Sequence, residues 1–286
     1  MYKGKWLDWT ENGESRLIKG GSLIQPCALG TCMCSGDPKA YELEDTREMA
    51  DGQVEYEITN TLVTKSEKYL SPERLAGYYK LARGDRKVGL LLYERNTELS
   101  EALYGVIQGL EVTLRNAMHN IIAVSTGQPD WYDTIGLNES EIDAIYDAKK
   151  KIEERAEPIT PGRVVAELNF GFWVRLTGWP YEKTLWVPYL HKVFPIKLKR
   201  TAIHDRLLDL KSLRNRIAHH QRIVGGKRDL VRDYDNLLET ISWLDHDMAE
   251  WVKATNCFHQ RANKKLRKPT PHKPPTLAAA AEIPKT

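Results

Sequence analysis

The chain has 286 residues, 41% hydrophobic and 28% charged, a balance that suits a folded soluble protein and excludes a disordered polyelectrolyte. Its net charge is only +3, too small for wrapping long nucleic acid through phosphate contacts alone, although a local cleft can still recognise it. No apolar run approaches the ~18 residues a membrane helix requires, and Met1-Tyr2-Lys3-Gly4-Lys5-Trp6 lacks a secretory core, so the cytoplasm is the expected compartment.

Residues 1–65 form a poorly patterned N-terminal segment of unknown fold. They carry seven Lys and Arg against eleven Asp and Glu, a net of −4. Gly20-Gly21, Gly30, Gly36-Asp37-Pro38 and Asp51-Gly52 break the pattern repeatedly, and only Gln53 to Thr59 alternates as a half-exposed strand would. Cys27, Cys32 and Cys34 crowd together here without the paired short spacings of a zinc site. A fourth ligand would have to be Cys257 or His259 from the far end, so free thiols are the expected state and no metal or cofactor is assigned.

From Ser71 the grammar is helical. Ser71 can cap, Pro72 suits the first helical position, and Glu73 sits in the first turn. A long helical pattern follows from about Arg86 to Val124, with Val106, Ile107, Leu110, Leu114, Ala117, Met118 and Ile121 on one side. Glu111, Arg115 and His119 recur every four residues on the opposite face, with Asn116 at its edge. This second polar stripe is either a surface ion pair or the other wall of a cleft. Trp131 and Tyr132 follow Pro129-Asp130 in an expected loop and are the aromatics expected to be exposed, whereas Trp173, Trp179, Trp186 and Trp243 read as core.

Asn138 to Glu141 reads as a capping box opening a charged helix to Ala156. Thr160-Pro161 opens another helix through about Arg175. Helical periodicity then runs from about Thr201 to Arg222, where Gly225-Gly226 stops it, and a last helix spans about Arg228 to Ala254. Residues 256–286, with seven basic residues against Glu282 alone, form a basic, then Pro- and Ala-rich tail expected to be disordered. The fold class is all-α, with residues 66–255 as the helical domain.

The stretch from Ser212 to His220 concentrates the chemistry. At about 100° per residue, with Arg214 at roughly 0°, Asn215 falls near 100° and His219 near 140°, so the trio shares a face. Leu210, Leu213 and Ile217 fall on the opposite face, and His220, near 240°, falls towards the core side and reads as structural. Such a run also suits a plain solvated helix end, where cations face the last carbonyls.

Leu213-Arg214-Asn215-Arg216-Ile217-Ala218-His219-His220 resembles the signature of HEPN domains, an Arg followed after four to six residues by His, usually with Asn or Asp beside the Arg. More closely, it resembles the Abi-like (abortive-infection, AbiD/AbiF-type) branch. Leu90 to Asn96 with Leu99 to Tyr104 is similar to that family's first long helix, and Glu111 to Ala117 continues it. Arg163 to Trp173 resembles the central block, and Leu185-Trp186 with Phe194-Pro195 the next, so the resemblance covers about residues 69–255.

The resemblance implies an HEPN-like helical bundle with a long antiparallel helix pair. It also implies a metal-independent endoribonuclease, acting as a toxin in anti-phage abortive infection or in a toxin–antitoxin pair, with RNA as substrate and an antitoxin protein or RNA as possible partner. Cleavage by internal attack needs the 2′-OH deprotonated, the 5′-oxygen protonated and charge on phosphorus stabilised. His219 would move the protons, Arg214 clamp the charge and Asn215 orient the reacting groups. His220, Arg222, Glu111, Arg115, Asn116 and His119 would line or support the cleft. A homodimer built around the motif helix and the Glu111–His119 face would supply a second imidazole.

The competing reading is a non-catalytic RNA- or nucleotide-binding regulator on the same bundle. A third reading, an intramembrane protease, is rejected: Glu153-Glu154 is followed directly by Arg155 in a charged helix, and no membrane span accompanies it.

Overall fold

A computed structural model of the chain describes residues 57–194 and 197–266, and among them every regular element is helical. Most of the segment expected to stand apart at the N-terminus, with Cys27, Cys32, Cys34 and residues 53–56 of the expected strand, lies outside the described residues. Residues 57–59 are irregular rather than extended in a sheet. Thr59 Oγ1 accepts from the Leu62 amide and opens helix α1 (Asn60–Leu70). The helical body therefore begins before residue 66. The reason is packing: Ile58 and Val63 are buried with Leu75, Leu90 and Leu91.

Helix α2 (Pro72–Leu81) starts where Ser71-Pro72 predicts, with Ser71 Oγ accepting from the Arg74 amide. Helix α3 (Arg86–Thr126) is 41 residues long, about 60 Å at 1.5 Å per residue, capped by Asp85 and ended by Gly127 in the left-handed region. Its buried stripe, from Leu99 through Leu103, Val106, Leu110, Leu114 and Met118 to Ile122, is the axis of the main core. No helix among the described residues is both long and apolar enough to cross a membrane.

The middle of the chain departs from the sequence reading in three places. Trp131 and Tyr132, expected to be exposed, are buried in a 3-10 turn, because Trp131 packs edge-on to Trp173 and donates its indole N–H to His119. Glu141 is not the returning carboxylate of a capping box. It is buried between helices α4 (Glu139–Glu154) and α6 (Phe170–Leu176), where Arg175 Nε and the Tyr181 hydroxyl donate to it. The helix expected from Thr160 to Arg175 is two, α5 (Pro161–Glu167) and α6, because Leu168 is extended and Asn169 Oδ1 accepts from the Phe172 amide. Of the tryptophans expected in the core, Trp173 and Trp186 are buried, Trp243 is half-buried under the Arg206 guanidinium, and Trp179 is 76% exposed.

Helix α7 (Arg200–Ala218) carries the motif and packs against α3, α6 and the next helix, α8 (Leu230–Leu244). The expected last helix breaks at Asp245, which is extended and whose carboxylate accepts from the Met248 amide to open α9 (His246–Ala254). The described tail is not free. A short helix, α10 (Phe258–Asn263), stacks Phe258 on Tyr234 at 4.6 Å between ring centroids, and Arg261 donates to Glu98 O and Glu101. Aromatic burial fixes what basic composition alone assigned to disorder.

Candidate functional site

Helix α7 ends one turn before the sequence pattern predicts. His220 N donates to Ile217 O at 2.9 Å and Gln221 N to Arg216 O at 2.8 Å, the paired bonds of a Schellman ending. That ending places the residue after the cap in the left-handed region, and here it is His220, at φ 52°, rather than glycine. The wheel position assigned to His220 thus does not apply. It is exposed rather than core-facing, and its carbonyl accepts from Arg74 Nη1 at 2.9 Å.

The loop beyond is held from both sides. Arg216 Nη2 donates to the Arg222 carbonyl, and Asn96 Oδ1 on α3, 5% exposed, accepts from Ile223 N at 2.7 Å and Val224 N at 3.3 Å. Arg222 itself lies against Gly77 of α2: a Cβ at Gly77 would sit 3.3 Å from its Nε. Two buried backbone donors satisfied by one side-chain oxygen explain why an asparagine occupies an otherwise apolar stripe.

Asn215 and His219 come together as the wheel predicts, in a shallow groove of about 400 Å³ along the outer face of α7. Lys211, Ser212 and Arg216 line it with them, and Gln221 closes its end. The sequence reading missed Lys211 and Arg216. The signal was available, since residues 211 and 216 fall near 60° and 200° on the same wheel and flank the Asn215–His219 face.

Arg214 has a different place. Its Nε lies 2.8 Å from Glu111 Oε1 on α3, and its Nη1 lies 3.5 Å from Asn215 Oδ1. The two side chains of the ion pair are 32% and 25% exposed, so the guanidinium charge is answered inside the bundle rather than presented to the groove. Arg214 orients Asn215 and ties α7 to α3. Lys211 and Arg216 are the cations at the groove itself.

The second polar stripe divides. Glu111 pairs with Arg214 of the motif helix rather than with Arg115, and it is not among the residues lining the groove. Arg115 Nη1 instead donates to Ala166 O at 3.1 Å in the last turn of α5, and its Nε is buried without a partner among the described residues. His119 Nδ1 accepts from Trp131 Nε1 at 3.1 Å, so its neutral ring carries the proton on Nε2. Burial pushes the His119 pKa below the usual histidine value. Asn116 is exposed between them. Arg115 and His119 therefore brace α5 and the Trp131 turn and do not face the groove.

A lysine, an arginine, an amide and an imidazole on one open helical face can grip phosphate oxygens and exchange protons. Comparison of the chain with family models, with curated proteins and with solved structures gives no match.

Proposed function

We propose that this chain is a metal-independent endoribonuclease of the Abi-like HEPN type, acting as a toxin in abortive infection or in a toxin–antitoxin pair. The observation that carries the proposal is the groove in which Asn215 and His219 lie with Lys211 and Arg216. In the proposed reaction the ribose 2′-oxygen attacks phosphorus, the bond to the 5′-oxygen breaks, and the products are a 2′,3′-cyclic phosphate and a 5′-OH end. His219 takes the 2′-OH proton, or returns one to the 5′-oxygen. Lys211 and Arg216 hold the non-bridging oxygens as negative charge builds. Asn215, steadied by Arg214, orients the phosphate. The HEPN-like arrangement, with its long antiparallel pair, belongs to the same proposal; the 41-residue α3 flanked by α8 and α9 supports it.

One protomer offers one imidazole at the groove, whereas the acid and base steps call for two proton carriers. We therefore place a homodimer contact on the outer face of α7, where the half-exposed Leu208 lies beside the polar residues. The Glu111–His119 stripe is left out of that contact, because its side chains are engaged within the chain.

The test is incubation of the purified chain with RNA in excess EDTA, beside His219→Ala and Arg216→Ala. Wild type should cut and leave cyclic phosphate ends, and His219→Ala should lose about 10²–10⁴-fold. An RNA left intact by every variant, wild type included, removes the enzyme. Wild-type binding without cutting would instead support a regulator that binds RNA, a reading favoured by the neutralisation of Arg214 by Glu111.

A further inference from the structure

A second, larger groove of about 830 Å³ lies on the other side of the α7 ending. It is walled by Tyr69 from the end of α1, Arg74 from α2, Tyr93, Asn96 and Tyr104 from α3, and His220 from the ending itself. We propose that this groove binds a nucleotide, with its base between the tyrosines and its phosphate towards Arg74 and His220, and that in the working enzyme this is the nucleotide next to the cut. The assignment of RNA as its source rests on the ribonuclease reading above.

Four observations carry it. Tyr69 and Tyr104 are 75% and 54% exposed, and both border the same groove. Aromatic rings on a groove wall are the common platform for unstacked bases, since every base has a π-face.

Asn96 supplies a polar handle at the floor. Its Oδ1 is taken by Ile223 N and Val224 N, which fixes the amide plane, and its Nδ2 has no acceptor among the described residues and is not one of the fully buried unpaired atoms, so it opens onto the groove. A donor held open at the groove floor fits an acceptor on the ligand, such as a base carbonyl or ring nitrogen.

Charge is matched as well. Arg74 uses Nη1 on the His220 carbonyl, which leaves its other N–H groups at the rim. Glu101, the carboxylate on the wall, is already met by Arg261 at 2.8 Å and does not repel a phosphate uncompensated.

Finally, the two grooves meet at adjacent residues. His219 lines one and His220 the other, so the α7 ending is the wall between them. A strand that crosses this ending would carry neighbouring nucleotides into the two grooves.

The full chain, Tyr69→Ala and Tyr104→Ala are titrated with the four ribonucleoside 5′-monophosphates and with a fluorescent octaribonucleotide carrying 2′-O-methyl groups, which cannot be cut by internal attack. Equal thermal unfolding of the three proteins establishes that the fold is intact. Loss of either ring should weaken octanucleotide binding roughly 5- to 100-fold and flatten the base preference beside the cut in unmodified RNA. Mononucleotide binding that disappears in both variants, with octanucleotide affinity unchanged, supports the groove with a free nucleotide as its source. A wild-type chain that cuts no RNA yet binds nucleotides through Tyr69 and Tyr104 keeps the groove and removes the ribonuclease. Binding and base preference equal in all three proteins overturn the groove alone.

Discussion

The ion pair between Glu111 and Arg214 decides what the motif arginine does, and it can be measured directly. At 2.8 Å between Nε and Oε1, with the charge centres ~4 Å apart, an effective dielectric of ~20 gives a gross attraction of ~4 kcal/mol. Lost hydration offsets much of this. Both side chains are about a quarter to a third exposed, so the pair lies between an open surface pair, at ~0.2–1 kcal/mol, and a buried one whose single loss costs ~3–5 kcal/mol. A coupling of about 1–2 kcal/mol follows. The assay is urea unfolding of wild type, Glu111→Gln, Arg214→Gln and the double variant at pH 7 and low salt. Each single variant should cost more than half of what the double variant costs, because each strands a partly buried charge. Glu111→Gln should also release Arg214 towards the groove, tightening RNA binding and steepening its salt dependence by about one single-strand phosphate contact, ~0.7 in logarithmic slope. Additive single and double losses, to within ~0.3 kcal/mol, would refute the assignment of Arg214 as a residue held by α3.

Three further outcomes follow from the packing. Gly109→Ala should destabilise by about 1–3 kcal/mol, since its Cβ would meet Val252 Cγ2 at 2.8 Å, and Val252→Ala should restore much of the loss in a double variant read by thermal unfolding. Asn96→Leu strips two buried backbone donors of their acceptor and should cost about 2–4 kcal/mol, with faster hydrogen exchange at Ile223 and Val224; unchanged exchange there refutes the staple. Stability should fall as pH drops through the histidine range. Burial lowers the pKa of both His119 and His204, with Arg200 adding to the effect at His204. The unfolded chain then takes up protons near pH 6.5 that the folded chain refuses, so the stabilisation is complete above that pH and is lost below it. Urea midpoints from pH 8 to 5 should show this slope, and His119→Gln with His204→Gln should flatten it; a slope identical in that double variant refutes the cause.

Sequence alone determined the helical class, the Ser71-Pro72 start, the long α3 and the pairing of Asn215 with His219 on one face. Each depends on local chemistry: caps, the 3.6-residue period and the breaks at glycine and proline. Tertiary structure decided the rest. Whether Trp131 is exposed depends on His119 and Trp173, 12 and 42 residues away, and a loop context says nothing of them. Whether Glu141 caps a helix or accepts from Arg175 and Tyr181 depends on how α4 and α6 meet. Whether Phe258 belongs to a free tail depends on Tyr234. The site divides in the same way. Residue spacing along α7 is local and was legible, but the partner of Arg214 comes from a residue 103 positions earlier, and the seat of His220 from a helix ending locked by Arg74 and Asn96. A helical wheel assumes that the helix continues. Where α7 stops is set by a local Schellman pair together with bonds distant in sequence, from Arg74 to the His220 carbonyl and from the Ile223 amide to Asn96.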